Sequence, residues 1–357
     1  MSSYIEFNDK VAFHPGYYIK EIIDDSGLTQ ADFAKRLGTT PKNISDLVRG
    51  EQSLSVDIAN KLSRMLGTSI GYWLGLQQSY DELTAEFMRL DELEKERDVF
   101  RMIDYGYFCK YFSFPRLPRK IDEQIDRVRK FLSVASLAVL EKRDLAVDYR
   151  LYSGSLPVSS IVNSNILLQI GINQALSAEM PKYDKKKFEG CLEYVLSLTR
   201  EHGSFIPAVK DTLKDAGVFL SVLPEIRGSG ISGATKKVNG KVLILINERT
   251  HYEDAFWFTL FHEIGHVMDG SLGATVGKES AADSYAQRML IPEDKYHDFI
   301  IQYKRFDESC IRKFADENDC DAGIVLGRLL VEHKVPAKDK VMINRLRHPM
   351  RLWPGLI

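Results

Sequence analysis

Between Leu28 and Gly50 the residues that start and stop helices fall at spacings that leave the backbone few choices. Thr29 is an N-cap type: its short hydroxyl side chain accepts an N–H that a first helical turn leaves without a partner. Leu28 before it can staple the start of the helix. Ala31, Phe33, Ala34 and Leu37 recur at helical spacing, and Gly38 then supplies the positive φ that a tight turn requires. Thr40 caps a second helix with Pro41 at its first position, where the missing N–H is not needed. Ile44, Leu47 and Val48 turn inward. Thr40, Lys42, Asn43, Ser45 and Arg49 stay outward, and these are residue types that reach phosphates and base edges. A third helix over Ser55–Leu66 closes a small core. The layout predicts a helix-turn-helix that reads DNA.

Charge argues against one kind of nucleic-acid protein. The 357 residues carry 48 basic and 50 acidic side chains, a net charge of −2, whereas a protein that coats nucleic acid without specificity is strongly basic. A short DNA-reading head within a longer chain fits that balance. With 44% hydrophobic and 27% charged residues, a chain of this length is expected to build two or three cores. Cys109, Cys191, Cys310 and Cys320 lie far apart without a C-x-x-C pair, which argues against a disulfide scaffold and a cysteine-ligated zinc and suits a reducing cytoplasm. The opening MSSYIEFNDK has no apolar stretch of the signal-peptide kind. The apolar run Phe131–Leu140 is about half the roughly 20 residues of a spanning helix, so no membrane is expected.

Along the rest of the chain the periodicity changes twice. From about Tyr80 to Thr199 it is helical and charged, with SFPRLPRK (Ser113–Lys120) as a linker and KYDKKK (Lys182–Lys187) as a solvated helix face. Gly217–Leu223 and Lys241–Asn247 are short apolar runs that predict strands, with a glycine-rich loop, Gly228–Gly233, between them. A helix follows over Tyr252–Met268, then a glycine-rich turn and a second helix over Glu279–Leu290, stopped by Pro292. From about Asp307 the pattern is helical again and ends in the basic stretch NRLRHPMRL. The expected fold is mainly α with a small β-sheet, an α+β class.

The strongest chemical signal is His262-Glu263-Ile264-Gly265-His266. Two histidines four apart on a helix differ by about 40° in direction, so both imidazoles can grip one zinc ion. The glutamate between them is placed to take a proton from an attacking water. A catalytic zinc needs a third protein ligand. A histidine six residues after His266 would make a three-histidine site, but that position is Leu272. Glu279 and Asp283 lie one turn apart on the next helix, and spacing favours Glu279; Asp269 is close to His266 on the same helix. Tyr285 and His251 are candidates to stabilise an oxyanion by their nearness in sequence.

Two resemblances add to this reading. The stretch from Phe13 to Gln77 resembles the DNA-binding domain of HigA-type antitoxins, within the Xre/Cro-like, lambda-repressor-like group. Its marks are His14-Pro15-Gly16, Lys20-Glu21, Leu28-Thr29-Gln30 and the closing Tyr72-Trp73-Leu74-Gly75-Leu76-Gln77. That resemblance implies a homodimer on a pseudo-palindromic operator. The segments FWFTLFHEIGHVMDG and KESAADSYAQRMLIP look like the ImmA/IrrE family of zinc metallopeptidases, with Gly233 and AGIVLGRLL (Ala322–Leu330) as further marks; Met268-Asp269 replaces the Leu-His pair that often follows the first motif. Position by position, the resemblance implies His262, His266 and Glu279 as ligands of Zn2+, Glu263 as the catalytic carboxylate, and Asp283 as a partner orienting a ligand imidazole.

The expected organisation is then a helix-turn-helix domain at 1–79, a helical connector at 80–200 that links, dimerises or senses, a zincin-like peptidase domain at 201–300 and a helical C-terminal extension at 301–357. The expected function is an antitoxin-like transcriptional regulator. It binds double-stranded operator DNA and carries a zinc-dependent endopeptidase acting on a cognate toxin or repressor. The alternative is a non-proteolytic antitoxin whose zincin-like domain is a toxin-binding or sensing scaffold.

Overall fold

The computed structural model describes residues 4–7, 10–142, 157–249, 251–272 and 279–350, and it divides into two compact units, Met1–Lys95 and Glu96–Ile357. The first opens with an antiparallel hairpin, β1 (Tyr4–Phe7) and β2 (Lys10–Phe13). Five helices follow: α1 (Pro15–Ser26), α2 (Gln30–Leu37), α3 (Pro41–Val48), α4 (Val56–Leu66) and α5 (Ile70–Phe100), the last of which continues past the unit's boundary. The caps are those the sequence signals. Thr29 accepts from Asp32 N, Thr40 from Asn43 N and Ser55 from Ile58 N, while Gly38 takes φ 69°. The buried faces meet in one core of Ile19, Phe33, Ala34, Ile44, Leu47, Leu62 and Trp73. The hairpin is tied to α5 by a Phe7–Phe87 stack and a Lys10–Glu86 ion pair.

In the second unit α6 (Tyr105–Tyr111), α7 (Ile121–Leu132) and α8 (Val158–Ser177) precede α9 (Lys185–Ser197) and α10 (Phe205–Asp215). Then come β3 (Val218–Pro224), β4 (Gly233–Val238) and β5 (Lys241–Glu248), in the spatial order β3-β5-β4. β5 pairs parallel with β3 and antiparallel with β4, and all eight of its residues are buried, as befits a central strand covered on both faces. Its alternation sorts the two faces. Leu243 and Leu245 meet Gly171 of α8, while Val242, Ile244 and Ile246 belong to the core that contains Trp257, Leu260 and Ile264. Those three residues lie on α11 (Glu253–Asp269), which is followed by α12 (Glu279–Leu290), α13 (Glu293–Gln302), α14 (Glu308–Glu317), α15 (Ala322–Val331) and α16 (Lys340–Leu346).

Two expectations change here. α5 is one uninterrupted helix, so the chain does not divide at 79/80; the cut between units falls after Lys95. The remainder of the expected connector is not a body of its own. Tyr107 Oη donates to Pro224 O, Ser164 Oγ accepts from Gly230 N, and Lys241 Nζ caps α8 at Ala175 O and Ala178 O. The C-terminal helices are part of the same core, through Phe314, Val325, Leu326 and Leu346. The basic stretch is held at Arg347, which forms a two-pronged pair with Asp254, 2.8 Å at each contact, and lies over the Tyr252 ring. The glycine-rich turn expected after α11 falls largely on 273–278, and the last residues of the basic stretch on 351–352, outside the described residues. Among the described residues no helix is long and apolar enough to cross a membrane, and all four cysteines are free thiols.

Candidate metal centre and nucleic-acid interface

In the first unit, the turn between α2 and α3 presents Thr40 and Lys42 to solvent, with Asn43 and Ser45 partly covered. Asn43 Nδ2 donates to Thr39 Oγ1 at 2.8 Å, which fixes its amide at the start of α3. Arg49 is less available than the sequence suggested. Its guanidinium spans Ser45 Oγ, Asp46 at 2.6 Å and Glu51 at 2.9 Å, and Glu51 and then Asp46 push its pKa upward. A phosphate approaching Arg49 competes with two carboxylates.

Two features behind α3 are not encoded in helical periodicity. His14 is buried and caps α1, its Nδ1 accepting from Gly16 N at 3.0 Å, with Pro15 at the first helical position. Gly16 lies so close to α3 that a Cβ there would stand 1.8 Å from Leu47 O. Gln77 of α5 is buried as well: its Oε1 accepts from Leu54 N at 2.8 Å and its Nε2 donates to Asp81. His-Pro-Gly and the final Leu-Gln thus set where α3 sits and how the segment after it runs.

In the second unit α11 carries His262, Glu263 and His266 inside the core, all buried. Gly265 lets α12 close on it, because a Cβ there would meet Ala282 Cα at 3.3 Å and Tyr285 Cβ at 3.2 Å. The close approach brings Glu279 to both histidines. The two Nε2 atoms are 3.1 Å apart, and Glu279 lies 3.3 Å from that of His262 and 3.4 Å from that of His266. Arms of about 2.0–2.1 Å from a tetrahedral zinc would set its ligand atoms about 3.3 Å apart. The donor set therefore fits that ion in kind and in spacing. Hydrogen bonds from His262 and then His266 hold the Glu279 carboxyl well below the usual carboxylate range, in the ionised form that ligates a cation.

The next residues outward separate the candidates. Asp283 Oδ1 lies 2.9 Å from His262 Nδ1. A carboxylate only accepts, so Nδ1 donates and Nε2 is turned toward the site. Asp283 thus stands one step behind Glu279, as the motif resemblance implies. Glu263 projects against β4: a Cβ on Gly233 would be 2.5 Å from Oε1 and 2.9 Å from Cδ, so only glycine leaves it room. Tyr285 packs on Gly265, and burial raises its phenol pKa. His251 is not brought to the cluster. It precedes α11 and pairs with Glu248 at 2.7 Å, while His262 lies nine helical residues beyond Glu253, about 13 Å along the axis. Asp269 instead accepts from Ser271 Oγ.

Comparison with known proteins bears on the first unit. A helix-turn-helix family model matches residues 19–73. Virulence-associated protein I of Dichelobacter nodosus is 34% identical over 80 residues, 22% of this chain and 74% of that protein. YddM of Escherichia coli, an uncharacterized HTH-type transcriptional regulator, is 34% identical over 95 residues, 26% of this chain and 93% of that protein. The chain belongs to the helix-turn-helix family. The solved structure of Pseudomonas aeruginosa antitoxin HigA with the higBA promoter is 28% identical, covering 24% of this chain and 92% of that one with a TM-score of 0.22. The helix-turn-helix match runs from α1 into the first residues of α5, so Thr40, Lys42, Asn43, Ser45 and Arg49 lie inside it. His262, Glu263, His266 and Glu279 lie beyond it.

Proposed function

We propose that this helix-turn-helix protein is an antitoxin-like regulator that binds operator DNA as a homodimer and carries a zinc-dependent endopeptidase acting on a partner toxin or repressor. The observation that carries the second half is the convergence of His262, His266 and Glu279, with Asp283 behind His262 and Glu263 against Gly233 of β4. These residues fit the ImmA/IrrE-type ligand pattern one by one. A zinc ion, when bound, supplies Lewis acidity that lowers the pKa of water and polarises a scissile carbonyl. Glu263 takes the proton of the attacking water and passes it to the leaving amine. Asp283 holds His262 in the tautomer that ligates. Gly233 keeps the Glu263 carboxylate free of a side-chain clash. β4 is an outer strand among the described residues, and an extended peptide can add to such an edge.

Glu263→Gln tests the chemistry. It keeps the metal ligands and removes the base, so metal content is expected to persist while cleavage of a co-expressed protein from the same operon stops. Processing that continues unchanged would overturn the peptidase reading and leave the metal domain as a scaffold. DNA binding is tested separately by gel shift on the upstream DNA of the chain's own gene. Lys42→Ala is expected to weaken binding across sequences and to lower the salt slope by about 1. Absence of a shift for the unaltered protein at every salt concentration would remove operator binding.

A further inference from the structure

Away from the H-E-x-x-H helix's ligand end, His202, Asp321 and His348 bring an imidazole or carboxylate atom each to within 4.8 Å of one another. They come from three places: the turn before α10, the N-cap of α15 and the segment after α16. A fourth group orients the first. Glu253, buried in the opening turn of α11, lies 2.9 Å from His202 Nδ1 and also accepts from Gly203 N. Because the carboxylate accepts, Nδ1 donates and Nε2 is left facing Asp321 Oδ2 at 3.6 Å, too long for a direct hydrogen bond. Asp321 Oδ1 is already occupied as the cap of Gly323 N and Ile324 N, so Oδ2 is the oxygen turned to the histidine. This is the arrangement found at His262, where Asp283 holds Nδ1 and Nε2 faces a ligand carboxylate. A carboxylate behind a histidine is the usual support of a metal-ligating imidazole.

Charge points the same way. The cluster holds two carboxylates, Glu253 and Asp321, both largely covered. The His202 and His348 rings are stacked with centroids 3.6 Å apart and a tilt of 23°. A divalent cation is a partner that two covered carboxylates and two neighbouring imidazoles can share. His202 is 39% exposed, which leaves an approach for the ion.

We propose that His202, His348 and Asp321 form a second site for a zinc-class divalent cation, with Glu253 as the positioning residue on His202. Its effect is structural: the ion pins the segment around His348 to the starts of α11 and α15. The backbone already runs together there, with Glu253 N donating to His348 O. The site is separate from the peptidase reading, so it is tested with that centre removed. Full-length H262A/H266A protein, titrated with zinc alone, is expected to take up one equivalent at micromolar concentration and to gain thermal stability. Adding H202A and H348A is expected to abolish both effects. If that combination fails to fold by circular dichroism, His202→Gln alone in the H262A/H266A background replaces it, since His202 is the more exposed ligand. No uptake by H262A/H266A, or uptake that persists with His202 replaced, overturns the proposal.

Discussion

A Cβ added at Gly16 would stand 1.8 Å from the Leu47 carbonyl oxygen, far inside contact distance, and the atom it meets is backbone. Gly16→Ala must therefore push α1 off α3, and it is expected to cost about 1–3 kcal/mol in urea unfolding. Gly27→Ala is the control: φ 64° with open space around it predicts only about 1 kcal/mol. Equal losses would refute the close-approach argument. His14, two residues earlier, adds a pH dependence. Burial lowers its pKa below the ordinary 6.5, and its Nδ1 caps α1 only while unprotonated. Between the folded and unfolded pKa values the unfolded chain binds more protons, so stability is full above about pH 6.5 and falls as pH drops below it. Asp81 opposes this shift and Tyr80 packs edge-on against the ring. His14→Asn keeps a capping side chain without the titration, and is expected to flatten the loss between pH 7 and 5. In the second unit, Asp283→Ala leaves the three ligands but frees the His262 ring, and zinc affinity is expected to fall about 10–100-fold by competition titration.

At the scale of elements, α3 is held by devices at both ends. Thr40 and Pro41 start it, and Gln77 reaches from α5 to satisfy Leu54 N beyond its far end. Gln77→Ala would leave that buried N–H without its acceptor, and is expected to cost about 1–3 kcal/mol and weaken operator affinity; a variant as stable as the parent would remove Gln77 from the scaffold. The helices of both halves were legible because capping and periodicity are local. Thr29, Gly38 and Thr40 state the first turn outright, and the spacing of His262 and His266 states a shared helix face. β4 was not legible. Gly-Ala-Thr-Lys-Lys-Val has neither the apolar run of β5 nor clean alternation, and it is a strand because β5 offers a ladder eight residues later. The reason for Gly233 is a carboxylate from a helix about thirty residues away, which no local pattern encodes. Glu279 was favoured over Asp283 by spacing, and the geometry explains the preference: one turn separates a residue that faces both Nε2 atoms from one that faces Nδ1.

At the scale of the molecule, sequence periodicity marked changes of composition, whereas the units are set by long-range packing. A helix such as α5 hides a boundary, and a connector rich in charge can still bury Phe108, Val162 and Ile166 completely. The partition into Met1–Lys95 and Glu96–Ile357 puts the candidate DNA-reading residues in one unit and the candidate metal-ligating residues in the other. Zinc should then act on one unfolding transition and not on both. An ion bound only by the folded state stabilises by about 2.7 kcal/mol at 100 times its dissociation constant. For a unit of this size each kcal/mol moves the midpoint by about 2–4 °C, so a shift of about 5–10 °C is expected. Calorimetry of chelator-treated protein, with and without added zinc, should show the larger-enthalpy transition rise while the smaller one, belonging to the helix-turn-helix unit, stays in place. A joint shift would mean that the two units unfold as one cooperative body. If neither transition moves, the H-E-x-x-H helix is a buried structural element whose histidines hold no metal.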